Sequence, residues 1–213
     1  MSNLWRAAFI PADAAGNKRV VARVLFRVRS VPRGRDHVMV ESQGERFEHL
    51  VLPHLNDAFT LAVYLLRDEH DAQDVVQDAS LRAVRFFDGF VGDRRDARAW
   101  LLSIVRNCCY SWSARRRAER DTLRQVDDPS LVLVDPRATD DRAIAGSERA
   151  RLERAIAALP VELREVLVLR ELSDLSYREI SEVAGIPMGT VMSRLSRARE
   201  RLALAFTSTP TAP

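Results

Sequence analysis

Cysteine, lysine and long apolar runs are scarce in this 213-residue sequence, and each scarcity excludes a class of protein. The only two cysteines are the neighbours Cys108 and Cys109, and adjacent cysteines rarely bridge because the geometry is strained. They supply neither a disulfide framework nor metal-site spacing, which predicts a protein of the reducing cytoplasm. No apolar run approaches the length of a membrane-spanning helix, and the N-terminus lacks the pattern of a signal peptide.

Net charge is only +3, so the distribution of charge says more than its sum. Residues 67 to 78 are almost entirely acidic among their charged positions, whereas residues 104 to 120 are almost entirely basic. Such clustering predicts one surface for a polyanion and another for a basic protein. Lysine occurs once, at Lys18, so nearly every basic contact can be a bidentate arginine contact.

Residues 1 to 45 mix arginine, proline and glycine without a sustained hydrophobic period. Residues 20 to 31 alternate as a strand would, but a lone strand has no partner in a helical chain. Two interpretations carry equal weight. The segment is a disordered extension, or translation begins near Met39 and the upstream residues are an artefact of gene assignment.

From Phe47 onward the apolar residues recur with helical spacing, and the fold class we predict is all-α. The first bundle has a helix over residues 47 to 66, a second capped by Asp71, and a third from near Asp96 to Arg117 with a break near Asn107. Residues 118 to 147 are rich in aspartate and weakly periodic, which predicts a flexible linker. Residues 148 to 207 form a second small helical domain, and residues 208 to 213 a tail.

The stretch "SYREISEVAGIPMGTVMSRLSRARERL" has the pattern of a helix-turn-helix. Ser176 and Glu179 have capping-box spacing, Gly185 suits a left-handed C-cap, and Pro187 suits the start of the next helix. A stripe formed by Val191, Leu195, Ala198 and Leu202 predicts the buried face of the second helix. The other faces would then be free to contact the major groove of DNA. An ordinary helical hairpin with a solvated basic face is the alternative.

The acidic stretch "DEHDAQDVVQD" places Asp71, Asp74 and Asp78 on one helical face. Three interpretations are open: a metal or acid–base site, a solvated acidic helix start favoured by the helix dipole, and a docking face with Val75 and Val76 interleaved. The enzyme interpretation lacks a second acidic segment.

A third stretch, "ARAWLLSIVRNCCYSWSARRR", combines aromatic and arginine side chains. Aromatic rings can stack on unpaired bases while arginines contact phosphates. Trp100 lies among apolar neighbours, which favours a core position, so Tyr110 and Asn107 are the better candidates for base contact.

Along the chain, the acidic stretch comes first, the aromatic–arginine stretch second and the helix-turn-helix last. In that order, the three stretches resemble a sigma factor of bacterial RNA polymerase, specifically the extracytoplasmic-function group of the sigma-70 family. "DAQDVVQD" is similar to the core-binding helix of region 2, and "ARAWLLSIVRN" with the following "RRR" to its −10 melting and recognition helix. "ALPVELREVLVLRE" and the helix-turn-helix are similar to region 4. The resemblance implies region 2 at residues 46–117, a linker at 118–147 and region 4 at 148–207.

The resemblance also implies the roles of individual residues. Core polymerase, through its β′ clamp helices and β subunit, would be bound by Asp71, Asp74, Val75, Gln77 and Asp78. The −10 DNA would be bound by Arg106, Asn107, Cys108, Cys109, Tyr110, Ser111, Arg115, Arg116 and Arg117, with residues 107 to 111 in a loop that captures a flipped base. The −35 DNA would be bound by Thr190, Met192, Ser193, Ser196, Arg197 and Arg199. Met192 and the cysteine pair depart from the family's usual residues.

The resemblance implies a promoter-specificity subunit with no cofactor, metal, catalytic residue, small-molecule substrate or membrane insertion. Its partners would be core polymerase and promoter DNA, and relatives commonly also have an anti-sigma factor. Two other classes of protein are alternatives. A stand-alone helix-turn-helix regulator would bind duplex DNA without polymerase, and a nucleic-acid-processing enzyme would need a metal or nucleophile constellation that the sequence lacks.

Overall fold

A computed structural model describes residues 43–126 and 148–207, which form eight α-helices and two short 3₁₀ turns. The first bundle consists of α1 (Gln43–Leu50), α2 (Leu55–Leu66), α3 (Glu69–Phe86) and α4 (Arg94–Val126). The second consists of α5 (Glu148–Ala157), α6 (Val161–Glu171), α7 (Tyr177–Ala184) and α8 (Met188–Thr207). The all-α prediction is confirmed for the described residues. The predictions for residues 1–42, for residues 127–147 of the linker and for residues 208–213 lie outside them.

Proline and an unexpected cap set the starts of the first two long helices. The predicted helix over residues 47 to 66 is divided by a 3₁₀ turn at Leu52–His54, because Pro53 has no N–H for an α-helical interior. The prediction that Asp71 caps α3 is wrong: the cap is Asp68, whose carboxylate accepts the Asp71 backbone N–H at 2.9 Å. Asp71 is instead inside the first turn, where a negative charge is favourable.

The fourth helix is longer than its sequence pattern indicated. It begins at Arg94 because the Asp93 carboxylate accepts the backbone N–H groups of Arg95 and Asp96 at 2.7 and 3.1 Å. It continues through Asn107 without the predicted break and ends at Val126, inside the segment predicted as a linker. The helical hydrogen bonds therefore continue through residues 107 to 111, where a loop was expected.

An aromatic cluster fixes the turn between α3 and α4. Phe87 is 2% exposed and contacts Phe47 edge-on at 5.1 Å between ring centroids. Phe90 stacks on Phe87 at 5.7 Å and contacts the Trp100 ring at 5.0 Å. The sequence-based preference for Trp100 as a packing residue thus agrees with its surroundings.

The two bundles pack against each other rather than standing apart. Helix α4 lies against α7, and α2 lies against α6. One continuous hydrophobic cluster includes Leu102 and Val105 of α4 together with Val166 and Leu169 of α6. No helix within the described ranges has both the length and the apolar character needed to cross a bilayer.

Candidate nucleic-acid interface

The helix-turn-helix has the local geometry that its sequence predicted. The Ser176 hydroxyl accepts the Glu179 backbone N–H at 3.2 Å, and the Glu179 carboxylate accepts the Ser176 N–H at 2.7 Å. Gly185 ends α7 with φ of +64°, the left-handed conformation in which a residue without Cβ has no steric cost. The Pro187 carbonyl then accepts the Thr190 N–H at 2.8 Å and starts α8.

One face of α8 is buried and the opposite face is open. Val191, Leu195 and Ala198 are at most 1% exposed, so three of the four residues of the predicted buried stripe are confirmed. The fourth, Leu202, is only partly buried and packs at the edge of the core. Of the residues predicted to bind the −35 DNA, Met192, Ser193, Ser196 and Arg197 are exposed and lie together on the other side, with Thr190 partly exposed. Arg199 is also exposed, but its guanidinium donates to the Glu171 carboxylate at 2.8 Å.

The acidic helix α3 exposes only part of its predicted docking set. Asp74 and Asp78 are exposed, and Gln77 is half-buried. Val75 is 2% exposed and belongs to the hydrophobic core, so its side chain is covered in this arrangement and its contact with a partner stays a prediction. Asp71 is buried, and its carboxylate accepts the Arg116 guanidinium N–H of α4 at 2.7 Å.

The Asp71–Arg116 pair therefore joins the acidic surface of α3, predicted to bind polymerase, to the basic surface of α4, predicted to bind DNA. Trp112 lies beside it, with the Arg115 and Arg116 guanidinium groups 4.5 and 5.5 Å from its ring centroid. Its indole N–H is buried without a hydrogen-bond partner among the described residues. Trp112 was not among the predicted site residues, although arginines three and four positions later were the signal that could have found it.

Cys108 and Cys109 do not form part of an open base-binding loop. They are 5% and 1% exposed and lie inside α4 within the hydrophobic cluster, so both thiols are covered in this arrangement and their contact with a −10 base stays a prediction. Burial raises the pKa of both thiols, which keeps them neutral and unreactive. Asn107, Ser111, Arg115 and Arg117 are exposed on the same helix.

Arg106 and Tyr110, the remaining predicted −10 residues, contact the second bundle. The Arg106 guanidinium and the Tyr110 hydroxyl both donate to the Glu165 carboxylate of α6, the latter at 3.1 Å. The Arg106 guanidinium also lies 4.6 Å from the Tyr110 ring centroid. Burial, followed by the nearby Glu165 charge, raises the pKa of Tyr110 to about 12, so the phenol remains a donor.

Glu165 itself was missed by sequence reasoning. Its side chain is fully buried, and burial raises the pKa of its carboxyl group, while the charges of Arg106 and Arg194 and the hydrogen bond from Tyr110 oppose that shift. Glu165 follows Arg164 at the start of the apolar run "VLVL", so no local signal distinguishes it from a surface residue. Among residues 43–126 and 148–207, no three potential ligands are grouped as a metal site would require.

Residues 43–126 and 148–207 are built of helices and contain a capped helix-turn-helix with an exposed polar face on its second helix. Together with the aromatic–arginine helix α4, these are the features of a DNA-binding protein. Comparison with protein families gives two matches in chain order, "Sigma-70 region 2" over residues 50–120 and "Sigma-70, region 4" over residues 149–202. The chain belongs to the sigma-70 family of RNA polymerase sigma factors, in its extracytoplasmic-function (ECF) group.

Individual relatives agree with this assignment. The chain is 34% identical to the RNA polymerase sigma-H factor of Pseudomonas aeruginosa over 177 residues, which cover 78% of this chain and 91% of that protein. It is 34% identical to the ECF sigma factor SigM of Mycobacterium tuberculosis over 164 residues, covering 75% and 78% of the two chains.

Two solved structures are similar to most of this chain. The sigma factor RpoE of Bartonella quintana, solved in complex with the anti-sigma factor NepR, superposes with a TM-score of 0.59 at 26% identity and covers 77% of this chain and 98% of its own. CnrH in complex with the cytosolic domain of CnrY superposes with a TM-score of 0.54 at 25% identity, covering 91% and 99%.

Proposed function

We propose that this sigma factor directs core RNA polymerase to promoters through three surfaces, on α3, α4 and α8. The observation that carries the proposal is the exposed polar face of α8, formed opposite a fully buried stripe in a capped helix-turn-helix. A second helix of this kind enters the major groove with its N-terminal residues. The chain makes no bond itself, because the polymerase carries the catalytic machinery, and it acts in the cytoplasm with the polymerase.

The surface for core polymerase consists of Asp74, Gln77 and Asp78 on α3. The two carboxylates are exposed, and Asp78 forms a surface ion pair with Arg82 at 2.8 Å. Such a pair contributes at most about 1 kcal/mol, so a basic partner can replace Arg82 at little cost. The β′ clamp helices are the partner that this acidic face fits, and the β subunit contacts the chain elsewhere.

The −10 surface consists of the exposed arginine and polar side chains of α4, together with Arg106 and Tyr110. Arg115 and Arg117 can contact phosphates, and Asn107 and Ser111 present hydrogen-bonding groups on the exposed side of the helix. The Tyr110 ring offers a stacking face once its contact with Glu165 is broken. Stacking of an unpaired base on an aromatic ring contributes about 1–3 kcal/mol, which offsets the cost of unstacking it.

The −35 surface consists of Thr190, Met192, Ser193, Ser196 and Arg197. Arg197 is the side chain suited to a guanine edge or a phosphate, and Met192 offers apolar contact for a thymine methyl group. Arg199, whose guanidinium pairs with Glu171, is the residue that we propose for contact with the DNA backbone beside them. Since the Bartonella quintana RpoE structure was solved with the anti-sigma factor NepR, we also propose a protein regulator of this type for this chain.

A charge-reversal variant tests the assignment of α3. Asp74→Arg combined with Asp78→Arg leaves the fold intact, because both side chains are exposed. Like charges at the interface cost several kcal/mol, so affinity for core polymerase falls by on the order of a hundredfold. The measurement is co-purification with core polymerase and fluorescence titration of labelled sigma factor.

Asp88→Arg is the matched control, because Asp88 is an exposed aspartate on the turn after α3. This variant retains wild-type affinity if α3 alone provides the docking face. Wild-type binding by the double variant would show that α3 does not dock on the polymerase. Tight duplex binding without polymerase would instead indicate a stand-alone regulator.

A further inference from the structure

A buried carboxylate lies at the contact between the two bundles. Glu165 of α6 is fully buried, and both of its oxygens accept hydrogen bonds from α4 of the other bundle, one from Arg106 and one from Tyr110. Arg194 of α8 also acts on the Glu165 charge. One carboxylate thus connects the predicted −10 helix, the body of region 4 and the recognition helix.

The ion pair lies beside the apolar core that the two bundles share, since buried apolar residues are its neighbours in both α4 and α6. Leu102 and Val105 of α4 and Val166 and Leu169 of α6 are almost fully buried in the same hydrophobic cluster. Burying a charge in such a place is favourable only when its partners are correctly placed, and removal of one partner leaves the other charge uncompensated. A buried ion pair therefore adds little net stability to the contact but makes it depend on both partners.

The contact also conceals DNA-binding groups. Arg106 has 20% of its side chain exposed, and the Tyr110 hydroxyl is engaged by Glu165, so neither is free for a −10 base or phosphate. We propose that Glu165 is an intramolecular latch that holds the chain in a closed form with its −10 surface partly covered, and that binding of promoter DNA requires this latch to open. The inference rests on the proposed function, because it assumes that Arg106 and Tyr110 contact DNA.

Opening and DNA binding are then linked. A ligand that binds only the open form has a measured dissociation constant equal to its intrinsic value divided by the open fraction. Removing one partner of a buried ion pair leaves the other charge uncompensated, so a variant of this kind shifts the closed-to-open ratio by about a hundredfold or more. Suppose that about one-tenth or less of the wild-type molecules are in the open form. Loss of the latch then strengthens binding to single-stranded DNA about tenfold or more, because nearly all molecules become open.

Charge reversal on either side of the contact tests the latch. Glu165→Lys places a cation against Arg106, and Arg106→Glu places an anion against Glu165, so each single variant should open the bundles and increase the radius of gyration in small-angle X-ray scattering. The double variant carrying both changes restores the pair with reversed charges and should return to the wild-type radius. Far-UV circular dichroism checks that each variant is as helical as the wild type.

Glu162→Lys is the matched control, because Glu162 is exposed on the same helix and the substitution changes the net charge equally. Binding is measured by fluorescence anisotropy with a labelled pool of random single-stranded 20-mer DNA. Glu165→Lys should bind this probe about tenfold more tightly than Glu162→Lys, which removes the effect of added positive charge. Should Glu165→Lys fail to fold, Arg106→Glu alone provides the scattering test from the other bundle.

The outcomes separate the latch from the function. A wild-type radius of gyration in the single variants overturns the latch, and so does expansion in Glu165→Lys without tighter binding than Glu162→Lys. Failure of the wild-type chain to support promoter-directed transcription with core polymerase would overturn the proposed function, and it would leave the scattering results unaffected.

Discussion

Two glycines near the turn of the helix-turn-helix provide a test of its backbone geometry, because they are predicted to respond in opposite directions. Gly185 is in the left-handed conformation with φ of +64°, and a Cβ added there meets no atom within 4 Å. The cost of Gly185→Ala is therefore backbone strain alone, about 1–2 kcal/mol. For a protein of this size, that corresponds to a fall in the melting temperature of about 2–8 °C.

Gly189 is the matched control, four positions further along the chain. A Cβ added there also meets no atom within 4 Å, but the residue lies in the first turn of α8 with no left-handed φ. Gly189→Ala removes backbone freedom from the unfolded chain, so we expect a gain of about 0.5–1 kcal/mol. Gly185→Asn should cost less than Gly185→Ala, because asparagine tolerates the left-handed conformation.

The assay is urea unfolding followed by circular dichroism, with the free energy of unfolding obtained by linear extrapolation. An unchanged slope against urea shows that each variant changes stability and not the extent of unfolding. Equal stability of Gly185→Ala and wild type would refute the turn geometry, as would a loss at Gly189→Ala equal to that at Gly185→Ala.

Two further predictions concern the core and the DNA-binding face. Phe87→Ala should destabilise the chain by about 3–5 kcal/mol in the same urea assay, because the ring is 2% exposed and packs on three other aromatic side chains. Phe86→Ala, next to it but 66% exposed, should change stability by less than about 0.5 kcal/mol, and equal effects would contradict the described turn. Arg197→Ala should weaken −35 binding by about 1–3 kcal/mol and relax specificity at one base if the guanidinium contacts a base edge. A phosphate contact would instead weaken all sequences in a −35 library and lower the salt slope by about one, and an unchanged affinity would show that this face does not bind DNA.

Local chemistry was sufficient to predict the helix-turn-helix from the sequence. Capping by Ser176 and Glu179, the left-handed turn at Gly185 and the buried Val191–Leu195–Ala198 stripe depend on residues close together in the chain. Periodicity also gave the helical class and the order of the segments, because one apolar face per helix is enough to define a bundle. The exposed residues of the −35 face could also be predicted, because they lie on the side of α8 opposite that stripe.

The sequence pattern did not determine which side chains of α3 and α4 are exposed on the protein surface. Asp71 had the features of a helix cap, yet Asp68 takes that place and Asp71 pairs with Arg116 across the bundle. Val75 and Cys109 lie beside polar residues in sequence but face inward, because α2, α3 and α4 pack together around them. Which polar neighbour stays exposed depends on the rotation of each helix within the bundle.

The burial of Glu165 was decided by tertiary structure alone. A glutamate between an arginine and an apolar run, as in "REVLVL", is solvated unless another part of the protein covers it. Only the packing of α4 against the C-terminal half brings Arg106 and Tyr110 to its oxygens. Sequence patterns report the hydrophobic face of each helix, because that face is formed by residues three and four positions apart. They do not report a contact between residues 106 and 165, because the free energy of a buried ion pair depends on partners that are distant in the chain.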